Sequence, residues 1–198
     1  EDVYYYLTLY NENYPMPPKP EGVEEGILAG LYRLETGELA DGAPRVQLLG
    51  SGTLLEEARR ARRLLGERFG VAADVWSATS YKELRREALA CERWNRLHPD
   101  EEPRVPYVTR ALAGAKGPVI AVSDYLKLVP DQIARWVPGG LVPLGTDGFG
   151  RSESRAALRR HFEVDAESIA LAAVAAMARR GEVDPALARR VRDELGLD

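Results

Sequence analysis

The 198 residues carry 45% hydrophobic and 29% charged side chains and a formal net charge of −4. That length and balance suit a soluble chain with one main core, and the sign of the charge removes the global basic field that nucleic-acid binding needs. A single cysteine leaves no internal disulfide and points to a reducing, cytoplasmic compartment, while the longest apolar run, Ile169 to Ala178, is far too short for a bilayer span.

The chain opens on VYYYLTLY (Val3 to Tyr10), aromatic and β-branched, which predicts a buried strand. Starting in mid-strand with no secretory leader, it reads as the later part of a longer polypeptide. NENYPMPPKPEG follows; its prolines at 15, 17, 18 and 20 demand an extended, irregular strap. Glu24 to Leu34 fits a short helix or a strand, and TGELADGAP is a loop. From Arg45 the pattern turns regular. Val46 to Leu49 is an apolar strand ending in GSGT, and Thr53 with Glu56 forms a capping box for a helix reaching Phe69. Ala73 to Ser77 is the next strand, and Ser80 with Glu83 opens a helix through Trp94. Pro118 to Ser123 is a strand followed by a helix over Leu126 to Trp136, and Leu141 to Gly145 is the last strand. Helices near Glu153 to His161, Ala166 to Arg180 and Pro185 to Leu195 close the chain, with Asp184-Pro185 as N-cap and first helical residue.

Nearly all-apolar strands alternating with helices predict a doubly wound α/β fold, a three-layer sandwich around a mostly parallel sheet. Such sheets place ligands or partners at the carboxyl ends of their strands. Here those ends are Gly50-Ser51-Gly52, Ser77 to Ser80, Ser123-Asp124 and Gly145 to Gly150.

None of the chemical motifs is complete. GSGT begins like a dinucleotide fingerprint, but Leu55 stands where the third glycine belongs and no acid ends the following strand, so a tight turn is expected. GTDGFGRSESR (Gly145 to Arg155) contains Gly-Asp-Gly, yet no asparagine follows Asp147 to complete a diphosphate–metal motif. It is expected to be a shaped surface loop, with Ser152 capping the next helix. In CERWNRLHP, Cys91 and His98 are too few for zinc and lack a triad partner. Trp94 and Leu97 are expected to pack on the sheet with Cys91, and His98-Pro99 to stop the helix. His161 suits a helix C-terminus, and Arg59 to Arg63 a solvated, ion-paired face. No catalytic, cofactor-binding or metal-ligating residue is assigned.

VYYYLT followed by NENY, then QLLGSG, DVWS, ERWNRLHP, RVPYV, SDYLKL, LGTDGFGRSESR, HFEVDAES and RRGEVD together resemble one family in order along nearly the whole chain. It is the homodimeric bacterial pyruvate dehydrogenase, the decarboxylating first component of the pyruvate dehydrogenase complex. The resemblance implies a fold like the transketolase C-terminal domain over 45–198, a strap over 15–44, and the tail of a pyrimidine-binding domain over 1–14. It also implies an enzyme that uses thiamine diphosphate and magnesium to decarboxylate pyruvate and reductively acetylate the lipoyl group of a dihydrolipoyl acyltransferase. The cofactor and catalytic residues belong to upstream domains of the homodimer, so none maps onto this chain, which is expected to be structural and to bind no cofactor by itself. Pro15 follows NENY where some members carry a histidine. The residues taken without the family support a second reading, a stand-alone flavodoxin-like binding or assembly module with neither nucleic-acid nor membrane partners.

Overall fold

The computed structural model describes residues 2–7, 9, 12–40 and 42–197. Five strands form one sheet: β1 (Leu31–Glu35), β2 (Arg45–Gly50), β3 (Ala72–Ala78), β4 (Val119–Val122) and β5 (Leu141–Leu144). Their order across the sheet is β1-β3-β2-β4-β5, with β1 antiparallel to β3 and every other pair parallel. The expected α/β sandwich with a mostly parallel sheet is therefore present.

The layers follow from the twofold alternation of the strands. Val46 and Leu48 of β2, Ala73 and Val75 of β3, and Ile120 and Val122 of β4 face one core. Leu49, Trp76, Ala78, Val119 and Ala121 face the other. The first face is covered by α2 (Leu54–Phe69), α7 (Ala166–Arg179) and α8 (Pro185–Leu195). Ala58 and Ala61 of α2 and Ala170 and Ala173 of α7 are all fully buried; their small side chains let these two helices sit close together. The second face is covered by α3 (Tyr81–Leu97) and the short α4 (Tyr107–Ala111). Helix α1 (Glu24–Ala29), α5 (Leu128–Asp131) and α6 (Arg155–His161) complete the set.

Several boundaries agree with the sequence: α2 ends at Phe69, and α8 runs over Pro185–Leu195 with the Asp184 carboxylate accepting the Ala186 N–H at 2.7 Å. Ser80 caps α3 as expected, its hydroxyl accepting the Glu83 N–H at 3.2 Å. Four readings are corrected. The described residues between Val3 and Leu9 form no strand, and Tyr4, Tyr5 and Tyr6 are 93%, 84% and 88% exposed; no strand of the sheet pairs with them, and β-propensity has no force without a partner. Thr8 and Tyr10 of that stretch lie outside the described residues. The helix expected over Leu126 to Trp136 breaks into α5 and a 3-10 turn at Ala134–Trp136, because Pro130 withholds one donor and Ile133 instead donates to the Pro130 carbonyl. Glu24 to Leu34 supplies a helix and a strand in succession, divided by Gly30 at φ 109°. The sheet therefore draws its edge strand β1 from the segment assigned to the strap. Last, Ser154 rather than Ser152 caps α6, accepting the Ala157 N–H at 3.3 Å.

Candidate functional site

From β2 the chain crosses through α2 to β3 on one side; from β4 it crosses to β5 on the other. Crossovers that leave in opposite directions open a crevice between the carboxyl ends of β2 and β4, the topological switch point where such sheets bind ligands. A cavity of about 560 Å³ lies there. Thr53 follows β2, Asp124 follows β4, and Thr146 follows β5, and all three line it. Two glycines make this convergence possible. A Cβ on Gly50 would lie 2.7 Å from the Leu55 Cα, and one on Gly145 would lie 2.5 Å from the Tyr125 carbonyl oxygen. Both distances are below real carbon contacts, so the turns close only without side chains.

Asp124 organises the floor. Thr53 does not cap α2 as its capping-box spacing suggests; its hydroxyl donates to Asp124 Oδ2 at 2.8 Å. The Thr146 hydroxyl donates to the Asp124 main-chain oxygen at 2.6 Å. The partner of Thr53 lies 71 residues away, so no local spacing rule can find it.

Three arginines form one wall: Arg151 on the loop after β5, and Arg155 and Arg159 on α6. Arg159 is fixed from behind by Glu57 of α2, whose side chain is only 3% exposed. Glu57 accepts from Arg159 at 2.7 Å, from Arg60 at 2.9 Å and from the Ala166 N–H at 3.1 Å, joining α2, α6 and the start of α7. That satisfies a buried carboxylate which would otherwise be costly. The strap reaches the same wall. The Tyr14 hydroxyl accepts from Arg155 and, at 3.5 Å, from Arg159, while the Glu12 carboxylate lies 3.2 Å from Arg155. The Tyr14 hydrogen bond leads the causes that hold the Arg155 guanidinium above its ordinary pKa. Apolar side chains share the lining: Leu54, Val164, and Leu158 and Phe162 from the same face of α6 that carries Arg155 and Arg159, while Phe149 is 96% exposed.

The other sequence candidates do not join this site. Asp147 accepts the Lys127 N–H at 2.9 Å and has Lys127 Nζ at 4.0 Å. Among the described residues no three His, Cys, Asp or Glu side chains converge on one position. Cys91 is buried on α3 and donates its thiol to Glu87 at 3.2 Å; burial first, then Glu87, pushes its pKa up. His98 caps the end of α3, its Nδ1 2.8 Å from the Trp94 carbonyl oxygen. Trp94 and Leu97 are not the sheet-facing anchors expected. Tyr81, Leu84, Ala88 and Cys91 are the buried residues of α3, and that helical phase brings Asn95 round next. Leu97 is thus 54% exposed, and Trp94 is sandwiched between the His98 ring at 4.4 Å and the Arg104 guanidinium at 4.1 Å. His161 ends α6, edge-on to Phe162. The Arg59 to Arg63 run is ion-paired as expected, Arg59 holding Glu35 at 2.6 Å and Glu56 at 2.7 Å.

Residues 30–165 match the transketolase-like TK C-terminal domain family. Along its full length the chain is 51% identical to the pyruvate dehydrogenase E1 component of Pseudomonas aeruginosa, covering 22% of that protein. Over 93% of its length it is 52% identical to the pyruvate dehydrogenase E1 component of Escherichia coli K12, covering 20% of it. The chain thus spans about a fifth of the length of these relatives. A transketolase mutant from Pichia stipitis overlays on 79% of the chain, and on 19% of its own length, with a TM-score of 0.51 at 19% identity, a likeness of fold.

Proposed function

The chain belongs to the transketolase-like C-terminal domain family, and from that membership we propose that it is the C-terminal part of a thiamine-diphosphate-dependent pyruvate dehydrogenase. In this reading the whole protein decarboxylates pyruvate and reductively acetylates the lipoyl group of a dihydrolipoyl acyltransferase. Thiamine diphosphate and magnesium sit in preceding domains of a cytoplasmic homodimer. Residues 1–14 end the pyrimidine-binding domain, 15–44 carry the strap and, within it, the edge strand β1, and 45–198 carry the rest of the α/β unit. The observation that carries this reading is the 51% identity, sustained along the full length, with a pyruvate dehydrogenase E1 component.

The residues present suit a structural role. The crevice supplies guanidiniums, hydroxyls and one carboxylate. Exposed Phe149, on a glycine-rich loop at a strand's carboxyl end, suits contact with a neighbouring domain or subunit. The test is catalytic. The protein in its native full length, given pyruvate and ferricyanide, is expected to release carbon dioxide only with thiamine diphosphate and magnesium; no release, or release without the cofactor, overturns the reading. The 198-residue chain alone is expected to give no saturable heat with the same cofactors. Micromolar binding there would overturn the division of labour between domains.

A further inference from the structure

We propose that the crevice at the carboxyl ends of β2, β4 and β5 is a binding site for a small organic anion, a carboxylate or phosphate carried on an apolar body. The inference is independent of the enzyme assignment, and three observations carry it.

The first is place and size. The cavity sits at the switch point of the sheet and holds about 560 Å³, within the usual range for small-molecule sites. The second is its mixed lining. Leu54, Leu158, Phe162 and Val164 offer apolar surface, and Arg151 and Arg155 offer positive charge. Among the described residues no acid pairs with Arg151, whereas Arg159 is held by Glu57 at 2.7 Å and Arg155 by Glu12 at 3.2 Å, a contact that a bound anion would have to exchange for its own. Asp124 holds the Thr53 hydroxyl at 2.8 Å and also bears electrostatically on Arg155, which leaves Arg151 as the better-placed first contact for an anion. Planar guanidiniums bind carboxylates and phosphates through paired N–H donors.

The third observation is the strap. Tyr14 and Glu12 lay an aromatic ring, a hydroxyl oxygen and a carboxylate against Arg155, with the Tyr14 hydroxyl also 3.5 Å from Arg159. The chain thus presents to these arginines the groups that an aromatic acid would bring. A ligand entering the cavity adds Arg151 and the apolar surface to that arrangement.

The test is calorimetric titration of the full-length protein with phenyl phosphate and, separately, inorganic phosphate, each with thiamine diphosphate and magnesium saturating so that cofactor sites do not compete. Phenyl phosphate is expected to bind saturably, and inorganic phosphate at least about tenfold more weakly for want of the apolar contact. Arg151→Gln and Arg155→Gln are each expected to weaken phenyl phosphate about tenfold, the loss of one charged hydrogen bond, while Arg86→Gln on α3 changes nothing. Arg151 is exposed, so its variant keeps the wild-type unfolding midpoint and any lost binding belongs to the site. Absence of binding at millimolar phenyl phosphate, equal affinity for the two probes, or unchanged affinity in both crevice variants would overturn the proposal.

Discussion

The two ends of the parallel sheet are built from the same kinds of residue and behave in opposite ways. At the amino end Asp74 accepts from the Gly37 N–H at 2.9 Å, from Arg45 at 2.5 Å and from Gln47 at 3.1 Å. Gln47 donates its second amide hydrogen to the Lys116 carbonyl at 2.9 Å and accepts the Trp76 indole N–H at 2.8 Å. Each of these side chains is hydrogen-bonded inside the protein, and the network pins the loop after β1 to β2, β3 and the entry to β4. At the carboxyl end Asp124 takes one donor, Thr53, and among the described residues no other hydrogen bond reaches its carboxylate. An aspartate with all its partners is a rivet; one with a single partner beside a cavity can meet something else. The fold closes one end for stability and leaves the other open for contact.

That contrast can be broken by experiment. Asp74→Ala strips the acceptor from a partly buried guanidinium and from a buried amide at once, and it is expected to lower stability by about 3 kcal/mol, read from the urea midpoint. Thr53→Val removes one hydrogen bond from Asp124, which water in the crevice replaces, so the expected loss is about 1 kcal/mol. A Thr53 loss as large as the Asp74 one would mean the carboxyl end is closed too. Cys91, on the later half of α3, sharpens the comparison from the closed side. Its thiol pKa is raised by burial and by Glu87, so the folded state holds the proton more tightly than the unfolded chain does. The stability it contributes is fully present below the ordinary thiol pKa of about 8.5 and is lost as pH rises through the folded value. From pH 7 to 10 the urea midpoint of the wild type is expected to fall more than that of Cys91→Ala, and native-state labelling at pH 8 is expected to be slow. The smallest effect belongs to Phe149→Ala, which should shift the midpoint by less than about 0.5 kcal/mol because the ring is already in water. The same variant should weaken association within the full-length protein, measured by sedimentation.

The periodic parts were legible from sequence because burial on a sheet face repeats along the chain: Ala58, Ala61 and Leu65 on α2, and Leu48 beside Leu49 on the two faces of β2. The α8 cap was legible because Asp184-Pro185 acts on its own neighbours. What escaped depends on residues far apart in the chain. Thr53 fits a capping box by spacing, and only the fold brings Asp124 to compete for its hydroxyl. No local pattern singles out Arg155 and Arg159; Tyr14, which meets Arg155, lies 141 residues away in the chain. Trp94 misled because a three-residue step from Cys91 looks like one stripe, yet the buried stripe ends at Cys91. Beyond it Asn95 brackets Arg104 near the surface, donating to its carbonyl at 2.9 Å and accepting its N–H at 2.8 Å.

The edge strand β1 gives the chain a mechanical order. Leu31 pairs with Ala78 at the carboxyl end of β3, and the Gly30 carbonyl takes the Thr79 and Ser80 N–H groups at 2.9 and 3.2 Å. The strap that leads into it touches Arg155 at the same end of the sheet through Glu12 and Tyr14. Tension on the chain ahead of Glu12 therefore meets those partly exposed side-chain contacts first, and such contacts yield easily. Only after they part does the load turn at Gly30 into β1. A pull along the strand loads the whole β1–β3 ladder in shear, and a pull outward peels it one bond at a time. The crevice contacts act as a fuse ahead of a stronger anchor, so the strap can be displaced modestly while the sheet stays intact.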